Sequence, residues 1–302
     1  MPFIHISSEV QEAIATGKPV VALESTIISH GLPRPQNYEA AREFERILRD
    51  AGVAPATIAV LDGIPHIGLD DAGVERIANE PMSKASVRDL PVLAGKQQSA
   101  ATTVAATSFL ANLAGIRVFA TGGLGGVHQG ASASFDESAD ILMLAETPVT
   151  VVSAGVKSVL DIPATLERLE TLSIPVLGYR TNVFPSFWLP ESSSALDWRV
   201  DSPEEVAGIM RARDLLGLRQ GIVLANPVPA EQAWDRDEHD RIIEQAFQMA
   251  EAQGVRGKAV TPFLLLEIVK LSGGRSLEVN LDLARNNVRV AAGIAKAWSN
   301  LA

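Results

Sequence analysis

Short apolar runs alternate along the chain with amphipathic segments, and this alternation constrains the fold more than any other feature. Helical patterns occupy the intervals Asn37–Ala51, Thr102–Ala114 and Ile162–Leu172. Alternating strands and helices favour an α/β protein in which helices cover a layered sheet of parallel strands. The runs that predict buried strands are Val20–Leu23, Thr57–Leu61, Val118–Ala120, Val149–Val152, Pro175–Leu177 and Ile222–Leu224.

The second half of the chain carries further helix signals. Ser202-Pro203-Glu204-Glu205 places a capping residue before a proline at the first helical position and a glutamate at the third. Long helices are predicted over Asp235–Gln253 and Ser276–Ala302, and the irregular stretch Pro185–Trp198 is the candidate for an excursion or an oligomer contact. Because no repeat or low-complexity linker divides the 302 residues, the prediction is a single domain over residues 1–302.

Net charge narrows the possible partners. The chain has 26 Lys and Arg against 36 Asp and Glu, a formal net charge of −10. Nucleic acid and anionic membrane are therefore not expected as partners, whereas a small anionic substrate fits if its pocket is locally basic. The lack of cysteine excludes disulfides and thiol chemistry. No apolar run approaches the roughly 20 residues that span a bilayer, and Met1–His5 shows no signal-peptide pattern, so we expect a cytoplasmic protein.

A glycine-rich segment, Thr121–Gly130, follows the run Val118–Ala120. Its glycines allow backbone N–H groups to approach an anion closely. The spacing is not that of a dinucleotide-binding fingerprint, because the third glycine of that pattern falls on His128. A tight, mobile turn between a strand and a helix explains the same residues equally well. His128 by itself is more often a hydrogen-bonded loop residue than a catalyst.

Two charged residues, Lys157 and Glu24, each follow an apolar strand. Partial burial of Lys157 would favour its neutral amine, the form that attacks a carbonyl carbon. The alternative, which spacing alone favours, is an ammonium group that reaches solvent. Glu24 is either a general acid or a strand-end residue that hydrogen-bonds neighbouring backbone. Lys84 is either a phosphate ligand or an ordinary surface lysine, and its serine neighbours predict a hydrated loop.

The acidic segment Asp136–Asp140 precedes the apolar run Ile141–Ala145. If the segment is helical, Asp136 and Asp140 are four residues apart and share one face. Two such carboxylates can hold a hard divalent ion, partly through water. The residues alone favour a plainer explanation, which is a helix cap followed by a solvated acidic first turn.

Together these segments resemble the pseudouridine-5′-phosphate glycosidase family over almost the whole chain. The resemblance implies a three-layer α/β/α fold with a mixed, mostly parallel central sheet, a homotrimer, and a divalent ion, usually Mn²⁺. It also implies cleavage of pseudouridine 5′-phosphate to uracil and ribose 5-phosphate through a lysine Schiff base. The matching segments are Ala22–Gly31, Ala101–Thr107, Phe119–His128, Ser138–Asp140, Ser153–Ser158, Gly257–Leu264, Val279-Asn280 and Asn286-Asn287.

Carried over residue by residue, the resemblance assigns Lys157 as the Schiff-base nucleophile and Glu24 as the proton donor. It assigns Asp136 as the metal ligand. The neighbouring Glu137 departs from the apolar residue that the family has there, and its extra carboxylate either perturbs the metal site or faces solvent. Substrate contacts are Lys84, Val104, Ser138, Ala139 and Asp140, with Thr121, His128 and Asn280 in motifs that line the pocket.

Two other functions share some of these residues. Another lysine-dependent sugar-phosphate lyase would use Lys157 but cleave within the sugar chain, and release of free uracil separates the two. A non-catalytic nucleotide-binding or sugar-phosphate-binding regulator would bind ligand without turnover.

Overall fold

The computed structural model of the protein describes residues 3–255 and 260–301. Its strands are β1 (His5–Ile6), β2 (Val20–Leu23), β3 (Ala54–Leu61), β4 (Ile64–Ile67), β5 (Ser83–Ala85), β6 (Ala100–Thr102), β7 (Val118–Ala120), β8 (Val127–His128), β9 (Thr150–Ser153), β10 (Leu160–Asp161), β11 (Val176–Tyr179), β12 (Trp198–Val200) and β13 (Ile222–Ala225). Its α-helices are α1 (Ser8–Ala15), α2 (Gln36–Asp50), α3 (Asp71–Asn79), α4 (Leu90–Lys96), α5 (Val104–Leu113), α6 (Ala131–Ser134), α7 (Ala139–Glu146), α8 (Ile162–Thr171), α9 (Pro203–Leu215), α10 (Arg236–Ala252), α11 (Val260–Leu271) and α12 (Arg275–Ser299).

One large sheet organises the molecule, in the order β1-β4-β3-β2-β7-β9-β13-β11-β12. From β3 to β12 along this order, every neighbouring pair is parallel. Strands β4 and β6 each pair antiparallel with β3, and β5 joins β6 in parallel. The predicted mixed, mostly parallel sheet is therefore confirmed.

Helices cover both sides of this sheet. Helix α12 packs across β2, β7 and β9 and contacts α2 and α9, whereas α5 packs on β2 and β3 and against α7. All four residues of β9 and of β13 are buried, as expected for parallel strands that are covered on two faces. The three-layer α/β/α arrangement follows from this packing.

Local sequence explains where individual helices begin and which face they bury. The Ser202 hydroxyl accepts a hydrogen bond from the backbone N–H of Glu205 (3.2 Å), and Pro203 is the first residue of α9. On α12, residues four apart form one fully buried stripe, because four residues are close to one helical turn. The stripe consists of Val279, Leu283, Asn287 and Ala291.

The sequence-based elements agree with the structure. All six predicted strand runs overlap observed strands, and the predicted helices correspond to α2, α5, α8, α9, α10 and α12. The stretch Pro185–Trp198 is an excursion, but Phe187 and Trp188 turn inward and are buried. None of the described helices is long and apolar enough to cross a membrane.

Candidate active site

Three neighbouring parallel strands, β2, β7 and β9, end at the same edge of the sheet. Glu24 is the residue after β2, Thr121 is the residue after β7, and Lys157 follows β9 by a short turn. Ligands of open α/β sheets bind in crevices at the carboxyl ends of the strands. The strand order therefore brings the two predicted catalytic residues and the glycine-rich segment to one place.

Backbone hydrogen bonds hold the lysine segment against the glycine-rich segment. The N–H of Leu124 donates to the carbonyl of Gly155 (2.9 Å), and the N–H of Lys157 donates to the carbonyl of Leu124 (3.2 Å). Gly155 has a φ of +85°, and a Cβ there would lie 2.7 Å from the carbonyl oxygen of Pro185. The main chain of the half-buried Lys157 is thus fixed relative to the turn.

Glu24 has the properties of a proton donor. Its side chain is buried, and its carboxyl accepts a short hydrogen bond from the Thr121 hydroxyl. Burial raises the pKa of Glu24 and is the largest effect. The charge of Lys157, the hydrogen bond from Thr121 and the charge of Lys84 lower this pKa, whereas the charge of Asp140 raises it. Because burial dominates, the carboxyl keeps its proton to a higher pH than an ordinary glutamate does. The charges of Lys157, Asp140 and Lys84 all act on this one group.

Lys84 does not lie in a loop, so that part of the prediction was wrong, but the residue is exposed, as a hydrated setting requires. The residue is on β5, opposite Ala101 of β6, and keeps contact with solvent. Desolvation lowers the pKa of Lys84, the charge of Lys157 lowers it further, and Glu24 and Asp140 raise it. Two amines and two carboxyl groups are therefore close enough to interact within one site.

The starts of α5 and α7 meet at the buried carboxylate of Asp140. This carboxylate accepts hydrogen bonds from the N–H of Ala105 (2.8 Å) and from the N–H of Gly125 (2.9 Å). Ser138 is the N-cap of α7, and its hydroxyl accepts a hydrogen bond from the N–H of Asp140 (3.2 Å). The glycine-rich segment was expected to bring a backbone N–H close to an anion. Within the described residues, the anion that its Gly125 N–H contacts is the Asp140 carboxylate.

The predicted substrate contacts from this region lie together. Val104 is the buried first residue of α5, and Ala139 is the exposed first residue of α7. Asp140 joins the two helix starts through its hydrogen bonds. Asn280, on α12, lies beside the turn, since its Oδ1 is 3.4 Å from the position that a Cβ on Gly122 would take.

Asp136 does not share a helix face with Asp140; the plainer explanation is confirmed in that Ser138 caps α7 and Asp140 lies in its first turn, although Asp140 is buried and not solvated. Helix α7 begins only at Ala139, because Glu137 forms an antiparallel bridge with Val127 and its backbone is extended. Asp136 lies before the helix, where its carbonyl accepts a hydrogen bond from the N–H of His128 (3.0 Å). The glycine-rich segment Thr121–Gly130 connects strand β7 to the short helix α6, as the plainer explanation expected, and it contains the short strand β8.

Asp136 and His128 offer the donors for a divalent ion. His128 Nδ1 and Asp136 Oδ2 are 3.8 Å apart. In the described part of the chain, no group of three or more His, Asp or Glu side chains could hold a metal. A carboxylate with one adjacent imidazole fits a six-coordinate ion that keeps most of its water ligands, as Mg²⁺ does. Glu137 instead pairs with Arg168 (2.8 Å), so its carboxylate is already neutralised.

Two residues near the site have contacts that sequence reasoning did not anticipate. Phe187 comes from the excursion and packs so closely that a Cβ on Gly123 would lie 2.5 Å from its ring. Asn287 is fully buried and donates to the carbonyl oxygens of Thr121 (2.7 Å) and Gly122 (3.3 Å). In the sequence, Asn287 stands out because it is a polar residue at a position where the apolar stripe of α12 would be expected to continue. The motif residues Gly257–Ala259 lie outside the described residues.

Comparison with known proteins places this site in a family. The model of the family described as "Indigoidine synthase A like protein" matches residues 9–297. A relative from Frankia alni, named pseudouridine-5′-phosphate glycosidase, is 58% identical over 98% of this chain and 82% of its own length. A relative of the same name from Saccharopolyspora erythraea is 56% identical over 97% of both chains.

Solved structures show the same fold. The prealnumycin C-glycosynthase AlnA, crystallised in complex with ribulose 5-phosphate, has a TM-score of 0.93 and 34% identity, covering 100% of this chain and 98% of its own. An indigoidine synthase A-like protein from Thermotoga maritima has a TM-score of 0.88 and 37% identity, covering 99% and 98%.

Proposed function

This chain belongs to the indigoidine synthase A-like family, and from that premise and the site we propose that it cleaves pseudouridine 5′-phosphate. The products are uracil and ribose 5-phosphate. The observation that carries the proposal is the site at the ends of β2, β7 and β9, where Lys157 is close enough for its charge to lower the pKa of the buried Glu24 carboxyl. The names of the two relatives and the sugar phosphate bound to AlnA support the same class of substrate.

The bond to be broken joins C5 of uracil to C1′ of the ribose, and carbon is a poor leaving atom in ordinary glycosidase chemistry. In the proposed reaction, Glu24 protonates the ring oxygen O4′ as its bond to C1′ breaks. The neutral amine of Lys157 then bonds to C1′. This lysine nitrogen supplies the electron pair that releases uracil.

Proton transfers complete the cycle. The Glu24 carboxylate takes a proton from the nitrogen of the adduct and delivers it to C5 of uracil as the C1′–C5 bond breaks. The nitrogen and C1′ are then joined as an imine. Water hydrolyses the imine, which yields the aldehyde of ribose 5-phosphate and restores the amine. Overall one water molecule is consumed, and no oxidant or reductant is needed.

The charges around the site explain how it would bind the phosphate of the substrate. Lys84 supplies a positive charge for the phosphate, and the N-terminal ends of α5 and α7 at Val104 and Ser138-Ala139 add backbone dipoles that favour anions. Binding energy from the phosphate, remote from the reacting bond, holds the sugar in register.

A divalent ion, proposed as Mn²⁺, would be held by Asp136 with His128 beside it. When bound, such an ion orders water and phosphate oxygens by coordinating them. We also propose that the working assembly is a homotrimer.

The deciding experiment incubates the protein with pseudouridine 5′-phosphate and Mn²⁺ and measures uracil and ribose 5-phosphate by chromatography. Equal molar release of both products is expected, with unphosphorylated pseudouridine a much poorer substrate. Binding without uracil release would contradict the proposal. Cleavage within the sugar chain would instead favour a lysine-dependent sugar-phosphate lyase.

A further inference from the structure

A line of hydrogen bonds runs from the end of β13 to the carboxyl of Glu24. Asn226, the residue after β13, donates through Nδ2 to Oδ1 of Asn287 (2.8 Å). Asn287 donates in turn to the carbonyl oxygens of Thr121 and Gly122 at 2.7 and 3.3 Å. The hydroxyl of Thr121 then donates to Glu24.

Each amide in this line has one workable orientation. Carbonyl oxygens only accept hydrogen bonds, so the nitrogen of Asn287 must face Thr121 and Gly122. Its oxygen therefore faces Asn226, which must present its own nitrogen. A reversed amide would place two oxygens in contact at a buried position, which is strongly unfavourable.

Packing alone does not require asparagine at this place. Val279, Leu283 and Ala291 occupy the other positions of the same fully buried stripe on α12. An apolar residue at position 287 would continue the stripe without needing polar partners. The asparagine is explained by the backbone that it holds, which is the first turn after β7.

We infer that Asn287 is a positioning residue that fixes the main chain of Thr121 and so keeps the Thr121 hydroxyl on Glu24. The inference rests on the proposed function only through the role of Glu24 as proton donor. Asn226 supports it by orienting the amide of Asn287. Through these hydrogen bonds, helix α12 helps to set the position and the pKa of the Glu24 carboxyl.

The test replaces Asn287 with leucine, which has a similar branched shape but no donor. Uracil release is measured as kcat and KM against pH. In parallel, the Glu24 carboxyl of the free protein is titrated by ¹³C NMR, with its signal assigned through Glu24→Gln. We expect kcat to fall by roughly 10- to 100-fold, the usual cost of a misplaced catalytic group, with a smaller change in KM.

The pH readout separates positioning from general destabilisation. The Thr121 hydrogen bond lowers the pKa of Glu24, so its loss should move the Glu24 titration and the alkaline limb of kcat to higher pH. Thr121→Val should move both in the same direction, and the double variant should add little, because the two residues act through one contact. Asn226→Leu should move the Glu24 titration to higher pH by a smaller amount. This variant replaces Asn287→Leu in the test if Asn287→Leu does not fold.

Asn37 provides a matched control. It is also a buried asparagine, and its Nδ2 donates to the carbonyls of Ile28 (3.0 Å) and Ala78 (2.9 Å). Asn37→Leu should lose stability yet leave the Glu24 titration in place. An unmoved titration in folded Asn287→Leu, or an equal movement in Asn37→Leu, would overturn the inference. If the unmodified protein releases no uracil but the titration still moves, the proposed function fails and the positioning role stands.

Discussion

Gly125→Ala should destabilise the protein, because the glycine lies where two chain segments approach closely. A Cβ at this position would lie 2.7 Å from Oδ2 of Asp140 and closer still to the Ser138 hydroxyl. Both groups are held in place. The Asp140 carboxylate also accepts a hydrogen bond from the N–H of Ala105, and the Ser138 hydroxyl accepts one from the N–H of Asp140. The added methyl group must therefore push the carboxylate away from the N–H of Gly125.

The expected loss can be estimated from the bonds involved. A hydrogen bond to a charged group contributes about 1.5–3 kcal/mol. Alanine restricts the unfolded chain more than glycine does, and this effect stabilises the folded protein by about 0.4–1 kcal/mol. The free energy of unfolding should thus fall by about 0.5–2.6 kcal/mol, and activity should fall with it because Asp140 lies at the site.

The assay is urea unfolding followed by tryptophan fluorescence, at one fixed protein concentration since the predicted trimer would couple stability to concentration. Gly208→Ala is the matched control. Gly208 lies within α9, and a Cβ there meets nothing within 4 Å, so alanine should stabilise by about 0.5–1 kcal/mol. Equal stability of the two variants would refute the steric argument.

Four further outcomes test the chemistry. Borohydride added during turnover should fix a ribose 5-phosphate mass on Lys157, as mass spectrometry of its peptides would show; the same mass on Lys84, or near-native turnover by Lys157→Ala, contradicts the assignment. Lys84→Ala should raise KM for pseudouridine 5′-phosphate roughly 10- to 100-fold, the worth of one hydrogen bond to a charged group, and change the weak turnover of pseudouridine far less; equal losses on both substrates would contradict its phosphate role. Chelation should stop uracil release, and Mn²⁺ should restore it in the native protein but not in Asp136→Ala; a rate that ignores the chelator rules out the metal. Because burial raises the pKa of Glu24, kcat should fall only above the pH at which an ordinary glutamate titrates, and a fall within that ordinary range would show that another group limits the rate.

The fold was largely predictable because its strands are continuous apolar runs. The runs at Val20–Leu23 and Ile222–Leu224, for example, match β2 and β13 closely. β5 was missed because strand formation there depends on pairing with β6, a distant contact that short polar segments do not reveal. The start of α7 could not be predicted from the acidic segment alone, because the bridge between Val127 and Glu137 keeps the backbone extended up to the cap at Ser138.

The candidate site was predictable as a set of residues, but not as a set of contacts. Lys157 and Glu24 could be selected because each follows a buried strand. The hydrogen bond from Thr121 to Glu24 joins residues 97 positions apart, and the bond from Asn287 to Thr121 joins residues 166 apart. Such pairs depend on strand order and helix docking, and a local pattern contains neither.

Strand order also limits how substrate choice can change in this fold. Neighbouring strands lie about 4.8 Å apart because their backbone hydrogen bonds require it, and β7 alone separates β2 from β9. The ladder therefore sets the separation between the ends of β2 and β9, from which the chain continues to the acid and to the amine, and the side chains around the site do not. Redesign for a different substrate should then leave the strands untouched and vary the segments at Lys84 and Ser138–Asp140, so that binding changes without separating the acid from the amine.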